Sequence, residues 1–257
     1  MITDNPTTMK IEADLKQLGV AKNDNLLVHS SLRSLGELPS GAETFISALL
    51  TVLGSEGTLL MPALSHSSVN SDNPVFDLLN TPCCVGALPE YFRKRPGTLR
   101  SIHPTHSVCG TGHNAQLLLG DHYKDSTPCG ENSPYYKLKD LGGWILFVGC
   151  GLNPNTSMHA IEELIEPEYL FSEPVDYQII LPENQKMHMR IRRHSFKAKG
   201  WVQAYGRLIN IMSAKYLRQG KILNADCYLV DVQNMWQMAH MTLKNNPLYF
   251  VERIKEE

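Results

Sequence analysis

The chain has 257 residues, 42% of them hydrophobic and 19% charged, with a net charge of −2. That length supports one large domain or two small ones around a sizeable core, and the near-neutral balance gives no footing for nucleic-acid binding. The one basic run, Arg190 to His194, is short and reads as the polar face of a strand.

In chain order, Ile11, Leu15 and Leu18 recur at helical spacing and Gly19 stops that helix. "NLLVHS" then reads as a short buried strand. "SGAETFISALLTVLG" gathers Ile46, Leu49, Leu50 and Leu53 on one side of a helix that ends at Gly54, and "GTLLMPA" is a second buried strand. Helix, strand, helix, strand at this spacing predicts an α/β fold. Two turn-rich stretches follow, "HSSVNSDNPVFDLLNTPCC" and "GDHYKDSTPCGENSPYYKL", and long loops in compact domains often carry function.

"GWILFVGCG" is the clearest central strand. Asn155 or Thr156 behind it is suited to cap a helix carrying His159. Beyond Pro174, "VDYQIILPENQKMHMRIRRH" predicts a β-hairpin turning at Pro182 to Asn184. A helical stretch, the run "KILNADCYLVDV" and a helix around "MWQMAHMTLK" come after it. The expected organisation is one domain over 1–257, with 174–257 as its only conceivable subdomain, since no linker marks a boundary.

The six cysteines form no C-x-x-C pair, which predicts scattered reduced thiols and a cytoplasmic setting. No leader pattern is visible, and no run of about 18 apolar residues predicts a membrane span. G-x-S-x-G, Walker and G-x-G-x-x-G patterns are all missing. Among ten histidines, His103, His106 and His113 are the tightest cluster, and a metal-dependent hydrolase built on them, with zinc as the metal to look for, is the alternative reading. Pro104 argues against two of these ligands sharing a helical turn. In "NTSMHAIEE", His159 has Glu162 at i+3 and Glu163 at i+4, within reach on one helix face. A carboxylate that accepts a hydrogen bond from one ring nitrogen fixes the tautomer and frees the other to take a proton. Spacing alone leaves this pair open between surface decoration and catalytic dyad. Its place beyond a glycine-terminated buried strand favours chemistry, because ligands collect at such strand ends.

Six segments in order, "LLVHSSLRSLG", "GAETFISALLTVLGSEGTLLMPA", "PVFD", "VGALPEYFRKRPGTLRSIHPTHSVCGTG", "TPCGENSPYYKL" and "GWILFVGCGLNPNTSMHAIEE", resemble the aminoglycoside 3-N-acetyltransferase family over more than half the chain. The resemblance implies a three-layer α/β/α fold around a mixed sheet, unlike GCN5-type acetyltransferases, and acetyl-coenzyme A as donor with no metal. It places the general base on His159, its orienting carboxylate on Glu162, and a thioester-facing group on His29. Donor contacts fall on Ser30, Ser31 and Leu32 and on Ser107 and Val108. The expected acceptor is a small-molecule amine, such as an aminoglycoside, met by Glu163, Asp72 and His194. A homodimer is compatible with this reading, as is a non-catalytic coenzyme A-binding homologue. The segment "RRHSFKAKGWVQAYGRL" differs from the family's resistance enzymes and is closer to a chromosomal bacterial branch, in which Arg193 and His194 would disfavour a polycation.

Overall fold

The computed structural model describes residues 5–255. Asn5 caps the first helix, α1 (Pro6–Leu18), by accepting from Thr7 N. Gly19 ends it in the left-handed conformation and donates to the carbonyls of Leu15 and Lys16. Strand β1 (Asn25–Ser30) lies between two parallel neighbours, β2 (Thr58–Pro62) and β6 (Trp144–Val148). The rest of the sheet is antiparallel: β5 (Val108–Gly112) and β4 (Leu99–Arg100) beyond β2, and β11 (Ala225–Asp231) and β10 (Leu217–Ile222) beyond β6. This is a seven-stranded mixed sheet of order β10-β11-β6-β1-β2-β5-β4.

Strand parity assigns the two faces. Leu26 and Val28 pack with α1, α2 (Ala42–Leu53) and α3 (Ala87–Lys94). Leu27 packs on the other face, in the cluster that takes in α4 (Ala115–Leu119), α5 (Pro134–Lys137), α6 (Ser157–Glu163) and α7 (Val232–Asn245). The result is the three-layer α/β/α arrangement expected. By the same period of two, His29 falls on the α6 face, where its ring stacks on Phe147 with centroids 5.1 Å apart.

A smaller sheet joins β3 (Val75–Asp77) to the hairpin of β7 (Phe171–Ile180) and β8 (Lys186–His194), with the turn at Pro182–Asn184. The chain after residue 174 does not stay together as a unit. Its hairpin joins β3, whereas β10, β11 and α7 return to the main sheet. One expectation needs correction here. The helical stretch after the hairpin is two 3₁₀ turns, Lys197–Lys199 and Tyr205–Asn210, separated by β9 (Trp201–Gln203), which pairs with β12 (Val251–Arg253). The apolar run near Asp226 is a tight hairpin, with Leu223 at φ 49° in its turn.

Candidate active site

The carboxyl ends of β1 and β6 lie side by side, Ser30 opposite Val148. At Gly149 the chain must turn under the 3₁₀ segment Leu32–Leu35. Its φ is +61°, and a Cβ there would fall 1.8 Å from Ser34 Oγ, so only glycine fits. The loop then runs to α6. Neither Asn155 nor Thr156 caps that helix with its side chain, contrary to expectation. Asn155 Nδ2 instead points to Met235 Sδ at 3.2 Å. The strand ends, this loop and α6 enclose a cleft of about 290 Å³ lined by His29, Ser30, Asn155, His159, Gln203 and Tyr205, with Pro62, Leu64 and Val85 among its apolar walls.

His159 and Glu162 form the expected pair. Nδ1 of His159 lies 2.9 Å from Glu162 Oε2. Tyr205 Oη donates to the same oxygen at 2.7 Å, and Tyr169 Oη donates to Oε1 at 3.0 Å. Glu162 has no solvent exposure, and His159 retains 12% on its side chain. A buried carboxylate with three donors is satisfied as an anion, so the proton of the His–Glu bond belongs on Nδ1. Burial, and then the Glu162 charge, hold both tyrosine hydroxyls well above the ordinary phenol range, so they remain donors. His159 Nε2 has no protein partner among the described residues and belongs to a ring that lines the cleft. The arrangement can take a proton from a bound nucleophile.

His29 lies across the cleft. Burial, followed by the proximity of His159, lowers its pKa to about 3, so it is neutral at physiological pH. Its Nε2, Ser30 Oγ and Asn155 Oδ1 are buried without hydrogen-bond partners. Three unpaired polar atoms in one cleft suit a ligand with its own amides and carbonyl, because each left unpaired costs roughly 1–3 kcal/mol. A pantetheine thioester is such a ligand.

Other anticipated residues lie elsewhere or are already engaged. Ser31 N donates to Val148 O at 2.8 Å, so its amide is not free for a ligand. Leu32 opens the 3₁₀ segment beside it. Ser107 and Val108 are fully buried. The Ser107 hydroxyl donates to Ala63 O and accepts from Arg100, and Val108 N donates to Ser101 Oγ. Asp72 is exposed on a loop, where its N–H meets Asn70 Oδ1, and it is not among the residues lining the cleft. The Glu163 side chain is only 7% exposed, accepting from Thr127 Oγ1 at 2.6 Å and Cys129 N at 2.9 Å, with His194 Nε2 at 2.8 Å. Neither Glu163 nor His194 is among the residues lining the cleft, although the His194 ring centroid is 4.5 Å from that of His159.

The zinc alternative fails on geometry. His103 Nδ1 accepts from the amides of Thr105 and His106, stabilising its own turn. His113 follows the far end of β5 and pairs with Glu56 in solvent. Among the described residues no group of three or more His, Cys, Asp or Glu is arranged to hold a metal ion. Nor does any described helix have the length and apolarity to cross a membrane.

Local spacing holds no hint of Tyr169, Tyr205 or Phe196. Phe196 packs 5.1 Å from the His159 ring, and Tyr205 joins Glu162 across 43 residues. Only the density of aromatic residues on either side of the β7–β8 hairpin could have drawn attention to them.

Geometry and ancestry agree on the class: an α/β acyltransferase with a histidine–glutamate pair at the carboxyl edge of its sheet. A sequence model of the aminoglycoside 3-N-acetyltransferase family matches residues 27–244, and the chain belongs to that family. It is 29% identical to aminoglycoside N(3)-acetyltransferase VII of Streptomyces paromomycinus, over 91% of this chain and 90% of that protein. It is 26% identical to the prophage-derived aminoglycoside N(3')-acetyltransferase-like protein YokD of Bacillus subtilis (strain 168), over 93% of each. Two solved structures superpose with TM-scores of 0.80. One is AAC-IIIb in binary complex with CoASH, 27% identical, covering 93% of this chain and 96% of that one. The other is a histidine-to-alanine mutant of AAC(3)-IVa in complex with a gentamicin, 25% identical, covering 95% and 90%.

Proposed function

We propose that this protein transfers an acetyl group from acetyl-coenzyme A to an amine of an aminoglycoside, with His159 as general base. The observation that carries the reading is the His159–Glu162 pair, locked by Tyr169 and Tyr205, with Nε2 left to the cleft. The donor supplies a thioester as electrophile. The amine nitrogen forms the new C–N bond, the C–S bond breaks, and the proton lost by the amine passes to His159 and on to the leaving thiolate. Glu162 stays ionised and stabilises the imidazolium while it exists. Neutral His29 and the Ser30 hydroxyl stand where they can hold the thioester carbonyl or the pantetheine arm. No covalent enzyme intermediate is required. The reading carries with it a cytoplasmic setting, where free thiols such as Cys150 persist, and it makes no demand on oligomeric state, a homodimer included.

The test is thiol release from acetyl-coenzyme A in the presence of sisomicin, gentamicin, apramycin and simple primary amines. Turnover with at least one aminoglycoside is expected. If every amine left acetyl-coenzyme A intact, and calorimetry detected no binding of coenzyme A, the proposal would be wrong.

A further inference from the structure

Three atoms beside the cleft form a closed triangle. His159 Nδ1 lies 2.9 Å from Glu162 Oε2 and 2.9 Å from Tyr205 Oη, and Oη lies 2.7 Å from the same Oε2. Two protons serve its three edges. Glu162 as an anion has none to give, so the phenol proton goes to the carboxylate oxygen, the closer and charged acceptor. Toward Nδ1 the Tyr205 oxygen then offers a lone pair, and the Nδ1–H has two acceptors in reach. Burial, and then the Glu162 charge, keep the phenol from ionising, so the same assignment holds at neutral pH. Tyr205 is itself firmly seated. It is 1% exposed, its ring meets that of His159 edge-on at 5.6 Å, and the next residue, Gly206, donates its N–H to Asn153 Oδ1 at 2.9 Å in the loop that leads to α6. Tyr169 is placed differently. Its hydroxyl reaches Glu162 Oε1 at 3.0 Å and Pro247 O at 3.2 Å, and its ring packs on Phe196 and Trp201.

We infer that Tyr205 is a positioning residue for the base: its hydroxyl accepts from His159 Nδ1–H while donating to Glu162, and so holds the imidazole at an angle that Glu162 and Tyr169 alone do not fix. This rests on the acetyltransfer reading above. The ring torsion of histidine is intrinsically broad, so partners at Nδ1 decide where Nε2 points. A single acceptor tolerates a range of ring angles. Two acceptors on different sides of the N–H narrow that range. The same hydroxyl, by occupying one lone pair of Oε2, limits which lone pair is left for the imidazole. When Nε2 takes the proton of the attacking amine, the ring becomes a cation and its Nδ1–H a stronger donor, and both acceptors serve it. Tyr205 acts here through His159 and needs no contact with the substrate.

The experiment compares Tyr205→Phe with Tyr169→Phe, each of which removes one hydroxyl bonded to Glu162 and keeps the ring. Turnover is followed by thiol release with whichever of sisomicin, gentamicin and apramycin is acetylated. Tyr205→Phe should lower kcat by roughly 10- to 100-fold, the scale of a misaimed catalytic group, with the KM for acetyl-coenzyme A within about twofold. Tyr169→Phe should keep kcat within about threefold. Both should lower the urea midpoint, because each loses hydrogen bonds to a buried carboxylate, so loss of stability cannot separate them and kcat can. Proton NMR of nitrogen-15-labelled protein gives a readout independent of turnover. The His159 Nδ1–H should exchange with solvent faster in Tyr205→Phe than in the unsubstituted protein, and at an unchanged rate in Tyr169→Phe. Equal kcat losses in the two variants, a kcat for Tyr205→Phe within about threefold of the unsubstituted protein, or Nδ1–H exchange that Tyr205→Phe leaves unchanged would overturn the inference and leave acetyltransfer standing. Failure of the unsubstituted protein to acetylate any amine would overturn acetyltransfer, and this inference with it.

Discussion

His122 and His159 are both enclosed by the fold, and they differ in what their ring nitrogens do. Nδ1 of His122 bonds with Ser101 Oγ at 2.9 Å and Nε2 with Pro128 O at 3.2 Å, so the protein uses both. His159 has only Nδ1 engaged, and its other nitrogen belongs to a ring on the cleft. The stacked pair of His103 and His122, with centroids 4.7 Å apart, packs a turn. His29 and His159 both line the cleft, and each has an Nε2 without a protein partner among the described residues. Commitment of both ring nitrogens separates His122 from His159, where a count of histidines cannot.

The largest effect should come from the bare nitrogen. His159→Ala removes the base, and turnover should fall by roughly 10²–10⁴-fold, measured by thiol release, while coenzyme A binding persists. His122→Asn should leave kcat within about threefold and lower the denaturation midpoint instead, as lost buried hydrogen bonds do. If the two variants showed similar kinetic losses, the comparison would fail.

Glu162→Ala should follow in size. It leaves the hydroxyls of Tyr169 and Tyr205 and the Nδ1 of His159 without their acceptor in a fully buried place. Removing one member of a buried charged pair costs about 3–5 kcal/mol, readable in urea unfolding. A change below about 1 kcal/mol would show that the carboxylate does not organise the site.

Much of this frame could be read from the sequence, and the reasons are physical. Strand β1, strand β6 and the β7–β8 hairpin follow short-range periodicity, which a linear string records. The His159–Glu162 pair is a local helical contact for the same reason. What escaped depends on distant pairing. Tyr205 reaches Glu162 only because β9 and the 3₁₀ turn after it fold back over α6. Ser107 is consumed by Arg100 and Ala63, contacts set by strand pairing in the sheet, and the segment "HPTH" imitates a ligand pair until His103 is seen bonding its own turn.

A third effect concerns pH. Unfolded His29 takes a proton near pH 6.5, whereas folded His29 stays neutral down to about 3. Its stabilising contribution is therefore present above pH 6.5 and lost as pH falls through that window, at up to about 1.4 kcal/mol per pH unit. Glu163 works with the opposite sign. Burial raises it to about 7 from 4.5, so its contribution is present in acid and lost as pH rises from 4.5 through 7. His29→Asn should flatten the loss of stability between pH 6.5 and 4.5, and Glu163→Gln should steepen it. Parallel stability–pH curves for both variants and the unsubstituted protein would contradict these assignments.

The smallest effect sharpens the same distinction at a third kind of histidine, one committed to a thiol. Cys83 and Cys84 are neighbours with opposite chemistry. Burial pushes the Cys83 thiol up to about 11. Burial also opposes ionisation of Cys84, but the hydrogen bond from His66, together with donors on Ser67, outweighs it and brings that thiol down to about 7. His66 rises in turn through its bond to Cys84. Thiolate is the form that alkylates. Iodoacetamide at pH 7 should therefore label Cys84 well ahead of Cys83, with a rate that is half-maximal near pH 7, followed by peptide mass spectrometry. His66→Ala should move that midpoint upward by about a pH unit or more, since the chief partner of the thiolate is gone and its burial remains. Labelling of Cys84 that is indifferent to His66 would mean that this imidazole is free, like those of the cleft, rather than spent on its neighbour.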